Sequence, residues 1–329
     1  MTAGLSTRGA AAANAGAFVA AVLFGASVVA VRVAVRDIPP TTLAVLRFGQ
    51  GGLVLLAATA LVRPELLRVD PPVLRSIALP GAIFFSLFPL TFNAGMQFTE
   101  ASRGALMLAT MPIWSILLAR WIVGEQLRGR QLLGVGVTVC GVAVVILADR
   151  GSPLVGGRGA LLGDALLLLT ALWGALYAVL AKRALDRHHA LTVVTLAMLI
   201  GTLVLLPIAL VEGLLGELGQ IDSSLAWLVV FLGIPGGAIG FGLWTAALAR
   251  LSPTQLTVYI NLNPVVAAIL GVVLLSEQPT ALFLVSFVAV LAGVFMVNWP
   301  ASAPSASAAR SATEGAPGQG RHCRGRMGS

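Results

Sequence analysis

Apolar residues run along this chain in long unbroken blocks, not in the alternation of a half-buried strand or the one-sided stripe of a surface helix. Ten such blocks, at 15–35, 41–62, 76–98, 102–122, 131–148, 160–181, 190–211, 225–248, 253–275 and 279–298, are separated by short polar breaks. Each approaches the roughly 20 residues that a helix needs to cross the hydrocarbon core of a bilayer. Lipid offers no partner to an unpaired backbone group, so a spanning segment is either a helix or part of a closed barrel. The period-2 pattern of barrel strands is missing. The pattern therefore predicts an all-α integral membrane protein with ten transmembrane helices. Residues 1–14 precede the first block, 149–159 link the fifth to the sixth, and 299–329 follow the last.

Composition agrees. Of 329 residues 58% are hydrophobic and 10% charged, with a mean hydropathy of +0.95. A soluble domain carries about 25% charged residues, so the bilayer is the expected partner of most of this surface. The net charge of +8 does not point to nucleic acid, because the bases sit in loops, at helix ends and in the tail. They follow the positive-inside rule. With the N-terminus inside, ten bases fall on interior loops and helix ends, five on exterior ones (Arg32, Arg36, Arg103, Arg150 and Arg158), and the acidic loop near 212–224 falls outside. Both termini are expected in the cytoplasm of a bacterial-type inner membrane. The first block is read as an uncleaved helix rather than a signal peptide, since nine more spans follow. Cys140 and Cys323 build no disulfide framework or metal cluster. Residues 299–329, rich in Ala, Ser, Gly and Pro, have the composition of a disordered tail.

The chain also repeats itself. A shift of 152 residues aligns Pro112 with Pro264, Glu125 with Glu277, Gln126 with Gln278 and Gly141 with Gly293; a shift of 149 aligns Gly25 with Gly174 and Asp37 with Asp186. Each unit holds five helices, 15–148 and 160–298. An odd number of spans makes the second unit re-enter the membrane in the opposite sense, so the halves are expected to be inverted copies, as in many secondary transporters.

Four stretches carry a family resemblance: "IPPTTLAVLRF" at 38–48 after "FG", "TEASRGALMLATMPIWSILLARWIVGEQL" at 99–127, "ALWGALYAVLAKRAL" at 171–185 and "LSPTQLTVYINLNPVVAAILGVVLLSEQPT" at 251–280. Through their order and spacing the chain resembles the EamA-type drug/metabolite transporters over nearly its whole length to residue 298. The resemblance implies two inverted five-helix repeats, cytoplasmic termini, and export of amino acids, other small metabolites or toxic compounds. Where that family often shows Trp-Gly in the first helix, this chain has Phe24-Gly25, and keeps Trp173-Gly174 only in the second half.

Polar and aromatic residues recur at helical spacing inside three spans: Ser86, Asn93 and Gln97; Thr170, Trp173 and Tyr177; Gln255, Tyr259 and Asn263. They are candidates to line a shared substrate cavity, or else to join helices by interhelical hydrogen bonds. Trp244, with Phe241, either adds an aromatic wall or anchors at the interface. Pro112 and Pro264 remove a backbone hydrogen bond and predict matched kinks. Gly233/Gly237 and Gly236/Gly240 have the spacing of close helix packing or of a hinge. Glu125 and Glu277 end their helices at opposite faces, so they fix a loop or gate each face. Arg47, the base placed deepest in a span, either snorkels outward or binds a carboxylate-bearing substrate.

No acid falls near the middle of a span; Asp164 comes closest, which argues against a simple carboxylate proton relay. Facilitated diffusion, exchange and less obvious coupling stay open. The motifs HExxH, GxSxG and GxGD are missing, and His188, His189 and His322 sit at polar edges, so neither an enzyme nor a cofactor or metal is expected. The expectation is an exporter of small amphipathic solutes, monomeric in the bilayer; a lipid-linked-sugar or drug translocase, or a non-transporting membrane protein, is the alternative.

Overall fold

The computed structural model describes residues 7–123, 129–148, 158–248, 250–251 and 259–298. Its helices are α1 (Thr7–Ala34), α2 (Pro40–Val62), α3 (Pro71–Met96), α4 in two pieces (Ala101–Leu108 and Met111–Val123), α5 (Gly129–Ala148), α6 (Arg158–Leu185), α7 (Ala190–Val211), α8 (Ser223–Ala247), α9 (Leu262–Leu275) and α10 (Ala281–Asn298). Among the described residues there is no strand. Eight helices are long and apolar enough to cross a membrane, and α9 and α10 are shorter apolar helices. Helix starts follow local chemistry. Prolines open α2 and α3 where no N–H partner is needed. The Asp222 carboxylate accepts from Leu225 N at 2.7 Å to cap α8. Gly213, at φ 98°, ends the turn after α7 where a side chain would be strained.

The outer faces of the bundle are greasy. Leu61, Trp121, Val211 and Trp227 are each more than 70% exposed. Apolar patches of this kind on water-facing surfaces mark a missing partner, here the acyl chains and, for the tryptophans, the interfacial layer.

The two halves pack as mates. α1 lies on α8 and α9; α6, its counterpart, lies on α3 and α4. α2 packs on α8 as α7 packs on α3, while the self-mated pairs α2–α7, α4–α9 and α5–α10 close the assembly. The correspondence reaches single residues. A Cβ on Gly51 of α2 would lie 2.9 Å from the Gly233 carbonyl of α8, and one on Gly201 of α7 would lie 2.8 Å from the Gly81 carbonyl of α3. A shift of 150 carries Gly51 to Gly201, and one of 152 carries Gly81 to Gly233. Gly25 meets Asn263 and Val266 of α9, and its mate Gly174 meets Met111, the residue that stands in the first half where Asn263 stands in the second. In α5–α10, Gly134 faces the Gly293 carbonyl and Gly141 faces that of Ser286. These close approaches are the small-residue contacts that hold helices together in lipid.

Irregularities repeat as well. α3 carries a π-helical turn at Ile83–Leu87 and α8 one at Ile234–Ile239. A proline, Pro80 or Pro235, lies just before or inside each, and its missing N–H loosens the i−4 ladder. Sequence predicts kinks at Pro112 and Pro264; the backbone instead breaks just ahead of each. α4 is interrupted at Ala109–Thr110, and α9 begins at Leu262 after a turn at Asn261. Each proline then sits in the first turn of the following helix, where its missing donor costs nothing.

Candidate functional site

At the junction of the halves lies a continuous group of aromatic rings from five helices. Phe24 of α1 is 4.8 Å from Phe241 of α8 and 6.1 Å from Trp244. Phe241 stands 5.4 Å from Phe85 of α3 and 6.1 Å from Phe48 of α2. Phe84 stacks on Tyr177 of α6 at 4.3 Å. The two π turns account for part of this arrangement. The wide turn at Ile83–Leu87 carries the consecutive Phe84 and Phe85, and both are buried. Phe241 is the second residue after the π turn of α8. Wide helical turns of this type concentrate at functional sites.

Arg47 borders this group. It is 5% exposed, so it lies inside the bundle instead of reaching the bilayer surface. Its guanidinium carbon lies 4.8 Å from the centre of the Phe48 ring, and its Nε is buried with no hydrogen-bond partner. A desolvated cation–π contact contributes about 2 kcal/mol, whereas a buried charge without a counter-ion costs several kcal/mol. The ring alone does not offset that burial.

The other expected site residues distribute as follows. In α3, Asn93 donates from Nδ2 to the Pro40 carbonyl at 2.9 Å and Gln97 from Nε2 to the Val35 carbonyl at 3.2 Å; the Ser86 hydroxyl donates to Ala82 of its own helix. These amides tie α3 to the turn between α1 and α2. In α6, Thr170 shares a 2.7 Å hydroxyl contact with Thr91 of α3, and Trp173 keeps a buried Nε1 without a partner. Tyr259 donates to Asn14 Oδ1 at 2.9 Å, while Asn263 keeps a buried Oδ1 with no partner. Trp244 packs with Tyr259 against the start of α1. Gln255 and Glu125 lie outside the described residues.

Glu277 has a defined task. Its carboxylate accepts from Ala101 N at 2.7 Å and from Ser102 N at 3.1 Å, capping α4 of the other half. The chain reaches this position through Ser276, whose left-handed φ of 55° ends α9 while Glu277 N bonds the Gly271 carbonyl at 3.1 Å. Beside it, Arg103 and Asp164 form a buried forked ion pair, with Nε to Oδ1 at 2.9 Å and Nη2 to Oδ2 at 2.5 Å. Sequence places Arg103 at the outer start of the fourth span; the structure has it in the first turn of α4, paired with Asp164 of α6. Among the described residues no group of three or more His, Cys, Asp or Glu is placed to hold a metal.

The profile of the EamA-like transporter family matches residues 12–147 and 161–299, one match to each half. The chain belongs to the EamA-like transporter family. It is thus a multi-pass membrane transporter rather than an enzyme. Similar proteins include a probable terminal-alkyne amino-acid exporter of Streptantibioticus cattleyicolor, 34% identical over 68% of this chain and 72% of that protein. A probable amino-acid metabolite efflux pump of Escherichia coli is 25% identical over 85% of this chain and 92% of that one. A solved crystal structure shares the fold with a TM-score of 0.64 at 20% identity, over 92% of this chain and 99% of that one.

Proposed function

We propose that this EamA-like transporter exports small amphipathic metabolites, amino acids foremost, by alternating access between its two inverted repeats. The observation that carries the reading is the pairing of contacts between halves. α1 rests on α8 and α9 as α6 rests on α3 and α4, with the aromatic group at the junction. Two arrangements of such a molecule, each opening one end, use the same contacts with the roles of the halves exchanged. Two of the similar proteins are named for amino-acid export, and an aromatic wall suits solutes with an apolar side chain. Trp173, Tyr177, Trp244, Tyr259 and Asn263 are the polar and aromatic groups we assign to the path, and Ser86, Asn93 and Gln97 support its walls. The protein works as a monomer in the inner membrane, with both termini in the cytoplasm.

The test is counterflow in liposomes containing the purified chain, with labelled leucine, phenylalanine and serine and with a Tyr259→Ala variant alongside. Uptake of leucine or phenylalanine above empty vesicles, reduced in the variant, is the expected result. Vesicles that move no amino acid but flip a lipid-linked sugar would overturn the reading in favour of a lipid translocase. For topology, reporters fused after residues 155 and 298 should report opposite sides; the same side for both refutes inverted repeats.

A further inference from the structure

We propose that the guanidinium of Arg47 is an anion-binding subsite, which takes the carboxylate of the solute while the aromatic group beside it takes an apolar side chain. The assignment rests on the transport reading above and narrows the substrate class to small carboxylates with an apolar or aromatic side chain, apolar amino acids among them.

Arg47 is buried within a helix that both halves contact, and it bonds to no acid among the described residues. Its contrast is Arg103, equally buried and paired through a forked contact with Asp164. Among the described residues one interior arginine thus has a counter-ion and the other has none. A buried cation left in that condition is incomplete until an anion arrives. The group is also the right one for a carboxylate, since its planar fork matches two oxygens at once, which a lysine ammonium does not. No twin exists across the pseudo-two-fold. The shift of 150 that carries Gly51 onto Gly201 carries Arg47 onto Ala197, which packs against Gly81. One cation in a two-fold frame defines one anion position and therefore one orientation of the solute. Phe48 lies under the guanidinium, and Phe241 and Phe24 continue from it toward Gly25, which packs on Asn263. The free Oδ1 of Asn263 is an acceptor suited to an ammonium group.

The probes are phenylalanine, its amide and phenethylamine, alike in ring and amine but differing in the carboxylate. In wild-type protein, phenylalanine should raise the unfolding temperature and drive counterflow about tenfold or more better than the amide or the amine, as expected for one charge-assisted contact. In Arg47→Gln, verified as monodisperse, the ratio should fall toward one, and Arg47→Lys should restore part of it. A wild-type protein that is protected by the amide as well as by phenylalanine overturns the assignment without any variant. So does an Arg47→Gln protein that keeps the wild-type ratio. Failure of the transport reading looks different, with no counterflow of any of the three. The protection measurement still decides the Arg47 subsite in that case.

Discussion

Removing the Glu277 carboxylate should loosen one end of the bundle by an amount set by two hydrogen bonds. The carboxylate accepts from Ala101 N and Ser102 N, both on buried residues at the start of α4. Hydrogen bonds to a charged acceptor contribute about 1.5–3 kcal/mol each, and a negative group at a helix start adds about 0.3–1 kcal/mol. Glu277 is itself half-buried, so solvent screening brings the sum for Glu277→Ala to about 2–4 kcal/mol. Glu277→Gln keeps one acceptor and should lose about half of that. Thermal unfolding of the purified chain in detergent reads the effect, at about 2–4 °C per kcal/mol for a chain of this size class. A second variant separates capping from mere contact. A methyl at Gly271 would sit 2.5 Å from Glu277 Oε2 and would push the carboxylate off its donors. Gly271→Ala alone should therefore reproduce most of the Glu277→Ala loss, although alanine favours the helix by about 1 kcal/mol over glycine. Placed on top of Glu277→Ala, where the space is vacant, it should be neutral or stabilising. Glu277→Ala within about 1 °C of wild type, or Gly271→Ala equally harmful in both backgrounds, would refute the reasoning.

Three other outcomes are expected. Asp164→Asn should cost about 3–5 kcal/mol by removing the buried negative charge that faces Arg103, and Arg103→Met combined with Asp164→Leu should recover much of it, read by the same unfolding assay. Gly51→Val and Gly201→Val should lower the yield of monodisperse protein to a similar degree, because they wedge apart matching contacts, α2 on α8 and α7 on α3; a large disparity would argue against equivalent packing. Tyr259→Phe, which removes only the bond to Asn14, should reduce counterflow less than Tyr259→Ala, which also removes a ring packed beside Trp244.

The spans and the duplication were legible because each is written in many residues. Twenty consecutive apolar positions leave little ambiguity, and Pro112/Pro264 with Gly141/Gly293 mark the copy. Partnership was harder to read. Asn93 and Gln97 share a helical stripe, but spacing does not say whether that stripe meets a void or a carbonyl of a neighbouring turn; here it meets Pro40 and Val35. Arg103 and Asp164 are 61 residues apart, and their pairing depends on α4 lying against α6, which local pattern does not contain. Consecutive residues of a regular helix lie about 100° apart, so the count alone does not put Phe84 and Phe85 on one wall, and the π turn that carries them is not written in the period. A proline four residues ahead of a Phe-Phe pair was the available signal. For Arg47, sequence left snorkelling and burial open. The packed neighbours decide for burial.

The two ends of the bundle are fastened by different chemistry. Where α4 meets α6 the fastening is the Arg103–Asp164 ion pair, and where α9 meets the start of α1 it is a hydroxyl on an amide. The attraction between charges about 4 Å apart falls from about 4 kcal/mol in protein surroundings to about 1 kcal/mol in water, whereas a neutral hydrogen bond changes far less. Water that reaches the first end weakens the ion pair there, so hydration and the separation of α4 from α6 favour each other. At the second end they proceed independently. In the transport cycle proposed above, wetting therefore lowers the cost of parting α4 from α6, while the bond from Tyr259 to Asn14 is nearly indifferent to it.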